Sequence, residues 1–586
     1  KTPSKLGNYK IRMDRFDVLR RFIFIAFLPL VVGLIYLQVF AHSRFRQLSE
    51  GNSIRTIYLD IPRGKILDRN GIVLAEDKLG FNLTYIPFDL KKTAECADIL
   101  APIFNMNRFE IQKKFTEKIA NPFEPRVIFR SISQEQLHFV EENSSRLPGI
   151  YIQAGLIRNY PFGKDTATIL GYLGEVSREE LPALKKEGLR SGDLIGRNGI
   201  EQMFDSLLRG ERGGTQVEVD ARGHQLRVLG QKESKPGNTV VLTIDSRLQK
   251  IASAKLGDRA GSVVVLSPAT GEVLALTSKP TFDPYNPAPS LNRSDKPFLN
   301  RALAGFYAPG SVFKIITSIA ALESGSITPE DEYECLGSIT IGDREFHCWK
   351  EDGHGWISFK NALAQSCNIY FGQVGMKTGE TNLLTYALRA GLGTVTGIDL
   401  PGEKAGFIPR PGESGGALNL SIGQGALLLT PIQMANLIAT VANGGNIFRP
   451  EILRELRDRD GNKTEEFGPV IQNNFFVSET TMDILKEGLL AVVNSGTGGA
   501  ARVPGISIAG KTGTAQTAQR DLQLNTRGSF VCYAPTDSPQ IAMAVVLDSG
   551  ASSEAAAITS QILKDYFFPP QEAAISDTQE TTVTGE

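Results

Sequence analysis

APGSVFKIITSIAALESG, residues 308–325, decides how the rest of the chain is read. Pro309-Gly310 marks a turn. After it, Val312, Phe313, Ile315, Ile316, Ile319 and Leu322 make the segment apolar on nearly every side. A helix that is apolar all round is buried inside a domain. Ser311 then falls in the first turn, where free backbone amides and the helix dipole favour negative charge. Lys314 is three residues on and shares its face. Burial makes an ammonium costly and lowers its pKa, so the two read as a hydroxyl nucleophile beside a poised amine base. The competing reading is a serine cap followed by a lysine that reaches solvent. Serine-x-x-lysine also arises by chance in a chain of 586 residues, so the stretch needs company.

Two further patterns supply it. Ser366-Cys367-Asn368 sits in NALAQSCNIYFGQV, which reads as a helix. If that helix breaks there, the hydroxyl of Ser366 and the amide of Asn368 project into one cleft. The hydroxyl can relay a proton, and the amide can orient a carbonyl or the lysine. Lys511-Thr512-Gly513 sits in ISIAGKTGTAQT, a strand with glycines at 510 and 513. Glycine in a strand marks close approach by another backbone or a ligand, and a peptide can add to such an edge as an extra strand. Lys511 offers a positive charge to a terminal carboxylate. Lys377-Thr378-Gly379 repeats the letters, but there Gly379 reads as the C-cap of a helix.

Composition narrows the class. Hydrophobic residues are 41% and charged residues 22%, which excludes wholesale disorder. Lys+Arg is 63 against Asp+Glu 64, so no global positive field gathers nucleic acid. Five cysteines exclude a disulfide-rich scaffold. None of His42, His138, His224, His347 or His354 lies in a nucleophile motif, which disfavours a Ser-His-Asp triad.

FIFIAFLPLVVGLIYLQVFA, residues 22–41, holds no charge and is long enough as a helix for the hydrocarbon core of a bilayer. Lys1, Lys5, Lys10, Arg12, Arg15, Arg20 and Arg21 precede it, so residues 1–21 stay cytoplasmic and the rest crosses. A cleaved signal peptide has a shorter apolar core and a small-residue cleavage site, which this run lacks. GSVVVLSPATGEVLALTS, residues 261–278, reads as two strands turning at Thr270-Gly271. Residues 506–517 and 540–548 read as strands, and 311–324 and 358–377 as helices. The polar tail 569–586 reads as disordered.

The order Ser-x-x-Lys, Ser-x-Asn, Lys-Thr-Gly is the motif set of penicillin-binding proteins and the related β-lactamases. The chain resembles the class B penicillin-binding proteins, and the likeness spans roughly residues 55–565. RGKILDRNG (63–71), RNYPFG (158–163), LGYLGEV (170–176) and GRNGIEQMFDSLLRG (196–210) resemble pieces of that family's pedestal. SIGQGALLLTPIQMANLIATVANGG (421–445) resembles its stretch between the second and third motifs. CLG…FHCWKEDGHG (335–355) is most similar to the elongation-specific penicillin-binding protein 2 group. Arg527-Gly528-Ser529-Phe530 departs from relatives, many of which enter that strand with a histidine or aromatic residue.

The resemblance implies an α/β (α+β) β-lactamase-like transpeptidase domain, with a central antiparallel sheet and helical layers, at 236–568. A mixed α/β pedestal at 42–235 and the single membrane helix precede it. It implies that Ser311 attacks the penultimate D-alanine carbonyl of a stem peptide, Lys314 takes its proton, and Ser366 protonates the leaving amine. Backbone amides of Ser311 and Thr514 would form the oxyanion hole, and Lys511, Thr512 and Gly513 would hold the substrate end. Expected partners are nascent stem peptides, β-lactams, a membrane glycan polymerase of the shape, elongation and division family, and other elongation-complex proteins. No Glu-x-x-Leu-Asn lies between Ser366 and Lys511 to activate a deacylating water, which argues against a β-lactamase. A β-lactam sensor and a D,D-carboxypeptidase would use the same motifs.

The chemistry requires no cofactor. Cys335, Cys348 and Cys367 flank His354 within 33 residues, and three thiolates with one imidazole suit a closed structural zinc site. Some members of the resembling group carry a metal ion beside this motif, and His347 could replace His354. A Cys335–Cys348 disulfide, favoured outside the cytoplasm, with a simply buried Cys367 is the alternative.

Overall fold

A computed structural model describes residues 15–42, 54–58, 61–116, 125–177, 179–190, 192–219, 225–516 and 526–569. The tail expected to be disordered lies outside the described residues apart from Pro569. The chain divides into two compact units: residues 1–61 with 211–235, and residues 62–210 with 236–586.

In the first unit, Arg15–Ile35 is an α-helix that carries Pro29 within it and continues into a wider turn, Tyr36–Phe40. The apolar part, Leu19–Phe40, is 22 residues long and passes the length and composition test for crossing a membrane. The same unit holds a three-stranded antiparallel sheet with Gly214–Val219 between Ile54–Tyr58 and Gln225–Lys232.

The second unit is built on a five-stranded sheet in the order Val273–Lys279, Gly261–Leu266, Ile541–Leu547, Thr526–Ala534, Ala509–Gln516. Every pair is antiparallel. Its central strands are apolar on both faces, as a sheet covered twice requires. Helices Ser246–Leu256 and Ser552–Phe567 cover one face. Helices Lys314–Glu323 and Pro431–Ala442 lie in the core on the other. Pro431–Ala442 is buried along its whole length, capped by Thr430 and Gln433 in a reciprocal box. The strand Ala509–Gln516 ends the sheet order, so one of its edges is open.

The segment read as the start of the pedestal is woven into the same unit. Ile66–Leu67 pairs in parallel with Thr239–Leu242, within a seven-stranded sheet that also contains Val73–Tyr85 and Ile150–Asn159. The Asp68-Arg69-Asn70-Gly71 turn forms as its residues predict, with Gly71 at φ +84°. Asp68 is fully buried and accepts from the amides of Asn70 and Ile72 and from the amide and hydroxyl of Ser246. A second tie is ionic. Buried Glu201 receives Arg63 Nε at 2.6 Å and Arg158 Nε at 2.7 Å, and the same arginines reach Asp205 and Asp77. Three carboxylates and two guanidiniums paired largely out of water hold one geometry only if all partners stay in place.

Candidate active site

The loop before Ser311 is fixed from two sides. Tyr307 exchanges both backbone hydrogen bonds with Leu429, and the Gly310 amide donates to the Gly423 carbonyl at 3.1 Å. Gly310 stands at φ +51°, and a Cβ there would meet the Thr514 carbonyl at 2.5 Å, so only glycine fits. The expected helix starts as a tight 3-10 turn, Gly310–Phe313, and becomes α-helical at Lys314. Ser311 is half-buried, whereas Val312, Phe313, Ile315, Ile316 and Ile319 are wholly so.

Lys314 is completely buried. Its Nζ donates to the Ser366 carbonyl at 2.8 Å and to Asn368 Oδ1 at 2.9 Å, with Ser366 Oγ at 3.3 Å. Burial pulls its pKa down to about 7, partly countered by Cys367 and Cys348. Two acceptors match the two N–H bonds of a neutral amine, which leaves its lone pair for a proton. Lys511 is buried as completely and donates to Ser366 Oγ at 2.9 Å. Burial, then the neighbouring charge of Lys314, holds its pKa well below the ordinary lysine value.

The second motif does not lie inside one helix. Phe359–Ala364 ends, Ser366 turns left-handed at φ +53°, and Cys367 caps a new helix, Asn368–Thr378. The Cys367 sulfur accepts the Tyr370 amide at 3.4 Å. A non-glycine residue at positive φ costs energy and persists where surroundings impose it. Here the kink turns both the carbonyl and the hydroxyl of Ser366 toward the lysines.

The third motif runs along the open edge. A Cβ on Gly513 would meet Ser529 Oγ at 2.3 Å and the Pro309 carbonyl at 2.7 Å, so the glycine permits the Ser311 loop to lie against the strand. Thr512 Oγ1 lies 2.8 Å from Thr497 Oγ1 and 3.4 Å from Lys511 Nζ. Thr514 is exposed, and its carbonyl accepts from Gln424 Nε2 at 3.4 Å. The structure thus brings Lys314, Ser366, Asn368, Lys511 and Thr512 into one hydrogen-bonded cluster, with Gly513 and Thr514 packed against the Ser311 loop. Lys377-Thr378-Gly379 ends its helix, with Gly379 at φ +84°, as expected of a cap.

Sequence reasoning missed several members. Thr497 lies in Ser495-Gly496-Thr497-Gly498, a turn whose glycines were a visible signal. Tyr307 Oη donates to Asp548 at 2.6 Å, and Asp548 also accepts from Arg301. Nothing in local sequence joins those three. Trp349 Nε1 donates to the Gln365 carbonyl at 2.9 Å, and Asn368 Nδ2 donates to the His347 carbonyl at 3.4 Å. The excursion 332–358 therefore clasps the second motif.

Cys335, Cys348, His354 and Cys367 converge beside it, their ligand atoms within 4.8 Å of one another. His354 points Nδ1 at the sulfurs of Cys335 (3.5 Å) and Cys348 (3.7 Å). All five cysteines are free thiols. Sulfurs on one zinc stand roughly 3.8 Å apart, given bonds of ~2.3 Å in a tetrahedron. The donor set and its compactness therefore fit a zinc ion. His347 is exposed and lies outside the cluster.

An open-edged antiparallel sheet under a buried helix, with the three motifs gathered at their junction, defines a transpeptidase domain of the β-lactamase-like class. Residues 261–567 match the penicillin binding protein transpeptidase domain, and residues 59–242 match the penicillin-binding protein dimerisation domain. The chain belongs to the penicillin-binding proteins. It is 32% identical to the peptidoglycan D,D-transpeptidase MrdA of Acinetobacter baumannii, across 93% of this chain and 86% of that one. It is 30% identical to stage V sporulation protein D of Bacillus subtilis, across 95% and 86%. Among solved structures, PBP2 of Pseudomonas aeruginosa in complex with WCK 5153 gives a TM-score of 0.62 at 27% identity, covering 88% and 97%. A chain from a peptidoglycan synthase complex that coordinates polymerization and crosslinking gives 0.68 at 29%, covering 96% and 100%. PBP2 of Helicobacter pylori, solved with MreC, gives 0.73 at 24% over 88% and 99% and shares the fold. The likeness to penicillin-binding protein 2 read from residues 335–355 holds.

Proposed function

We propose that this chain is a serine D,D-transpeptidase that cross-links peptidoglycan stem peptides during cell-wall elongation and is acylated by β-lactams. Residues 22–41 serve as the anchor, 42–235 as a pedestal, and 236–568 as the catalytic domain, outside the cytoplasmic membrane. The observation that carries the reading is the fully buried Lys314, whose two donors are taken by Ser366 and Asn368 one helical turn after Ser311.

Lys314 Nζ takes the proton from Ser311 Oγ as the oxygen attacks the carbonyl carbon of the penultimate D-alanine. The amides of Ser311 and Thr514 receive the oxyanion; losing one such donor typically costs about 2.7–4 kcal/mol. Lys511, Thr512 and Gly513 hold the terminal carboxylate and the strand that bears it. The C–N bond breaks, the departing D-alanine amine takes the proton of Ser366 Oγ, and Lys314 passes the proton it took from Ser311 on to Ser366 Oγ, 3.3 Å away, which leaves an ester on Ser311 and a neutral Lys314. An acceptor amine then attacks that ester and gives its extra proton to Lys314, which hands it to Ser311 Oγ as the ester C–O bond breaks. Cys335, Cys348, Cys367 and His354 would hold a structural zinc ion, which supplies no chemistry to these steps and staples the excursion to the second motif. The names of the relatives support the activity, and the synthase-complex structure supports partnership with a membrane glycan polymerase.

Labelled penicillin tests the reading. The purified protein takes up label on Ser311, and Ser311→Ala takes up none. Equal labelling of the two would sink the assignment. With paired stem peptides, cross-linked dimer accumulates; if only trimmed peptide forms, the activity is carboxypeptidase.

A further inference from the structure

Arg527 is a cation beside the three motifs that the proposed chemistry leaves unused. It stands on the strand Thr526–Ala534, directly opposite Ala515 of the strand that bears the third motif. Side chains alternate along strands, so Lys511, Gly513 and Ala515 share a face with their partners Val531, Ser529 and Arg527. That face is the nucleophile's side, because a Cβ at Gly513 would touch both Ser529 Oγ and the Pro309 carbonyl. Ala515 is too small to screen Arg527 from the edge.

Among the described residues the guanidinium is held in place without being neutralised. It lies 5.7 Å over the ring of Tyr307, four residues before Ser311. Tyr307 is itself pinned by Asp548 and by its backbone pairing with Leu429. The one hydrogen bond Arg527 makes from its side chain to the described residues is long, Nη1 to the Phe306 carbonyl at 3.4 Å. No carboxylate among the described residues pairs with it. The Asp548 carboxylate in this network is engaged by Tyr307 and Arg301. A planar cation with fixed orientation and spare donors suits bidentate capture of a carboxylate.

The position says which carboxylate. On the reading above, the terminal carboxylate sits at Lys511 and Thr512 and the attacked carbonyl at the amides of Ser311 and Thr514. Residues preceding the scissile bond then run on toward Ala515 and Gln516, at about 3.3 Å each. The residue before D-alanyl-D-alanine arrives beside Ala515. We propose that Arg527 is a specificity-determining residue that reads a carboxylate on the side chain of that stem-peptide residue. The donor is thus an acidic stem peptide rather than one with an amidated or uncharged third side chain.

This inference rests on the transpeptidase reading, and the test separates the two. Two synthetic donors ending in D-alanyl-D-alanine differ only in a free carboxylate or a primary carboxamide on the preceding side chain. D-alanine release by the whole chain is measured with each. The unsubstituted protein prefers the carboxylate in kcat/KM by roughly tenfold to a hundredfold, the worth of charge-assisted hydrogen bonds. Arg527→Gln brings the ratio close to one, and Arg527→Lys retains part of it. Because the readout is a ratio within one protein, a general loss of activity leaves it unmoved. An unchanged ratio in Arg527→Gln, or no preference in the unsubstituted protein, overturns the proposal. Failure of penicillin to label Ser311 at all would instead overturn the transpeptidase reading.

Discussion

Lys511 donates from Nζ to Ser366 Oγ at 2.9 Å, across 145 residues of sequence. The bond decides which way the Ser366 proton points. With Lys511 donating to the oxygen, and Lys314 Nζ 3.3 Å from it, the hydroxyl hydrogen of Ser366 is left to donate elsewhere. A departing amine needs such a donor. The same bond places two lysines in one buried cluster, where like charges disfavour double protonation.

That crowding predicts a pH profile. Only the neutral amine can accept the Ser311 proton, and burial brings Lys314 to about 7. The rate of acylation by a β-lactam should therefore climb about tenfold per pH unit below that value and flatten above it. Lys511 sits beside Lys314, so the midpoint belongs to the pair. Stopped-flow or label-uptake rates between pH 5 and 9 measure it. A rate that is flat across this range removes Lys314 as the base.

Thr497 should set the direction of the Thr512 hydroxyl. Thr512 Oγ1 has Lys511 and Thr497 as neighbours within hydrogen-bonding distance. When both donate to it, its own hydrogen faces the substrate carboxylate. Thr497→Val removes that donor at a cost of about 1 kcal/mol, which lowers the acylation rate roughly fivefold. Thr497→Ser restores it. An equal loss in both variants would point to packing rather than to the hydroxyl.

How much of this was legible follows from which interactions are local. The Ser311 helix and the Lys511 strand carry their own patterns: an apolar run after a Pro-Gly turn, and glycines where the Ser311 loop touches a strand. The second motif misled, because NALAQSCNIYFGQV has helical spacing throughout. Its break at Ser366 is capped by a cysteine sulfur, not by the usual Ser, Asp or Asn oxygen. Thr497 and Asp548 reach the site only through tertiary packing, so no window of sequence contains the reason for them. Asp68 shows the same limit: its turn was readable, but its bonds to Ser246 were not.

Metal removal should act on the fold around the second motif. A shared zinc ion would tie Cys335, Cys348 and His354 of the excursion 332–358 to Cys367, which lies between Ser366 and Asn368. Protein prepared without reductant should hold about one zinc per chain with five titratable thiols after denaturation in chelator. Chelation should lower Tm and slow penicillin uptake together, and zinc should restore both. Three free thiols and no zinc would favour the Cys335–Cys348 disulfide instead.

Glu201 offers the clearest stability prediction. It is fully buried and takes both Arg63 Nε and Arg158 Nε. Arg158 Nη2 has no hydrogen-bond partner among the described residues, so the cluster shows no spare acceptor there. Glu201→Gln keeps the shape but leaves two buried guanidiniums facing an uncharged amide. Breaking a buried pair in this way costs about 3–5 kcal/mol. Among the described residues Glu201 bonds Arg63, Arg158 and Tyr160 and none of the three motifs, so penicillin acylation of the protein that remains folded should be close to normal. Thermal unfolding and label uptake on the same preparation separate the two effects. A Tm within a degree or so of the unsubstituted protein would show that water replaces the lost charge.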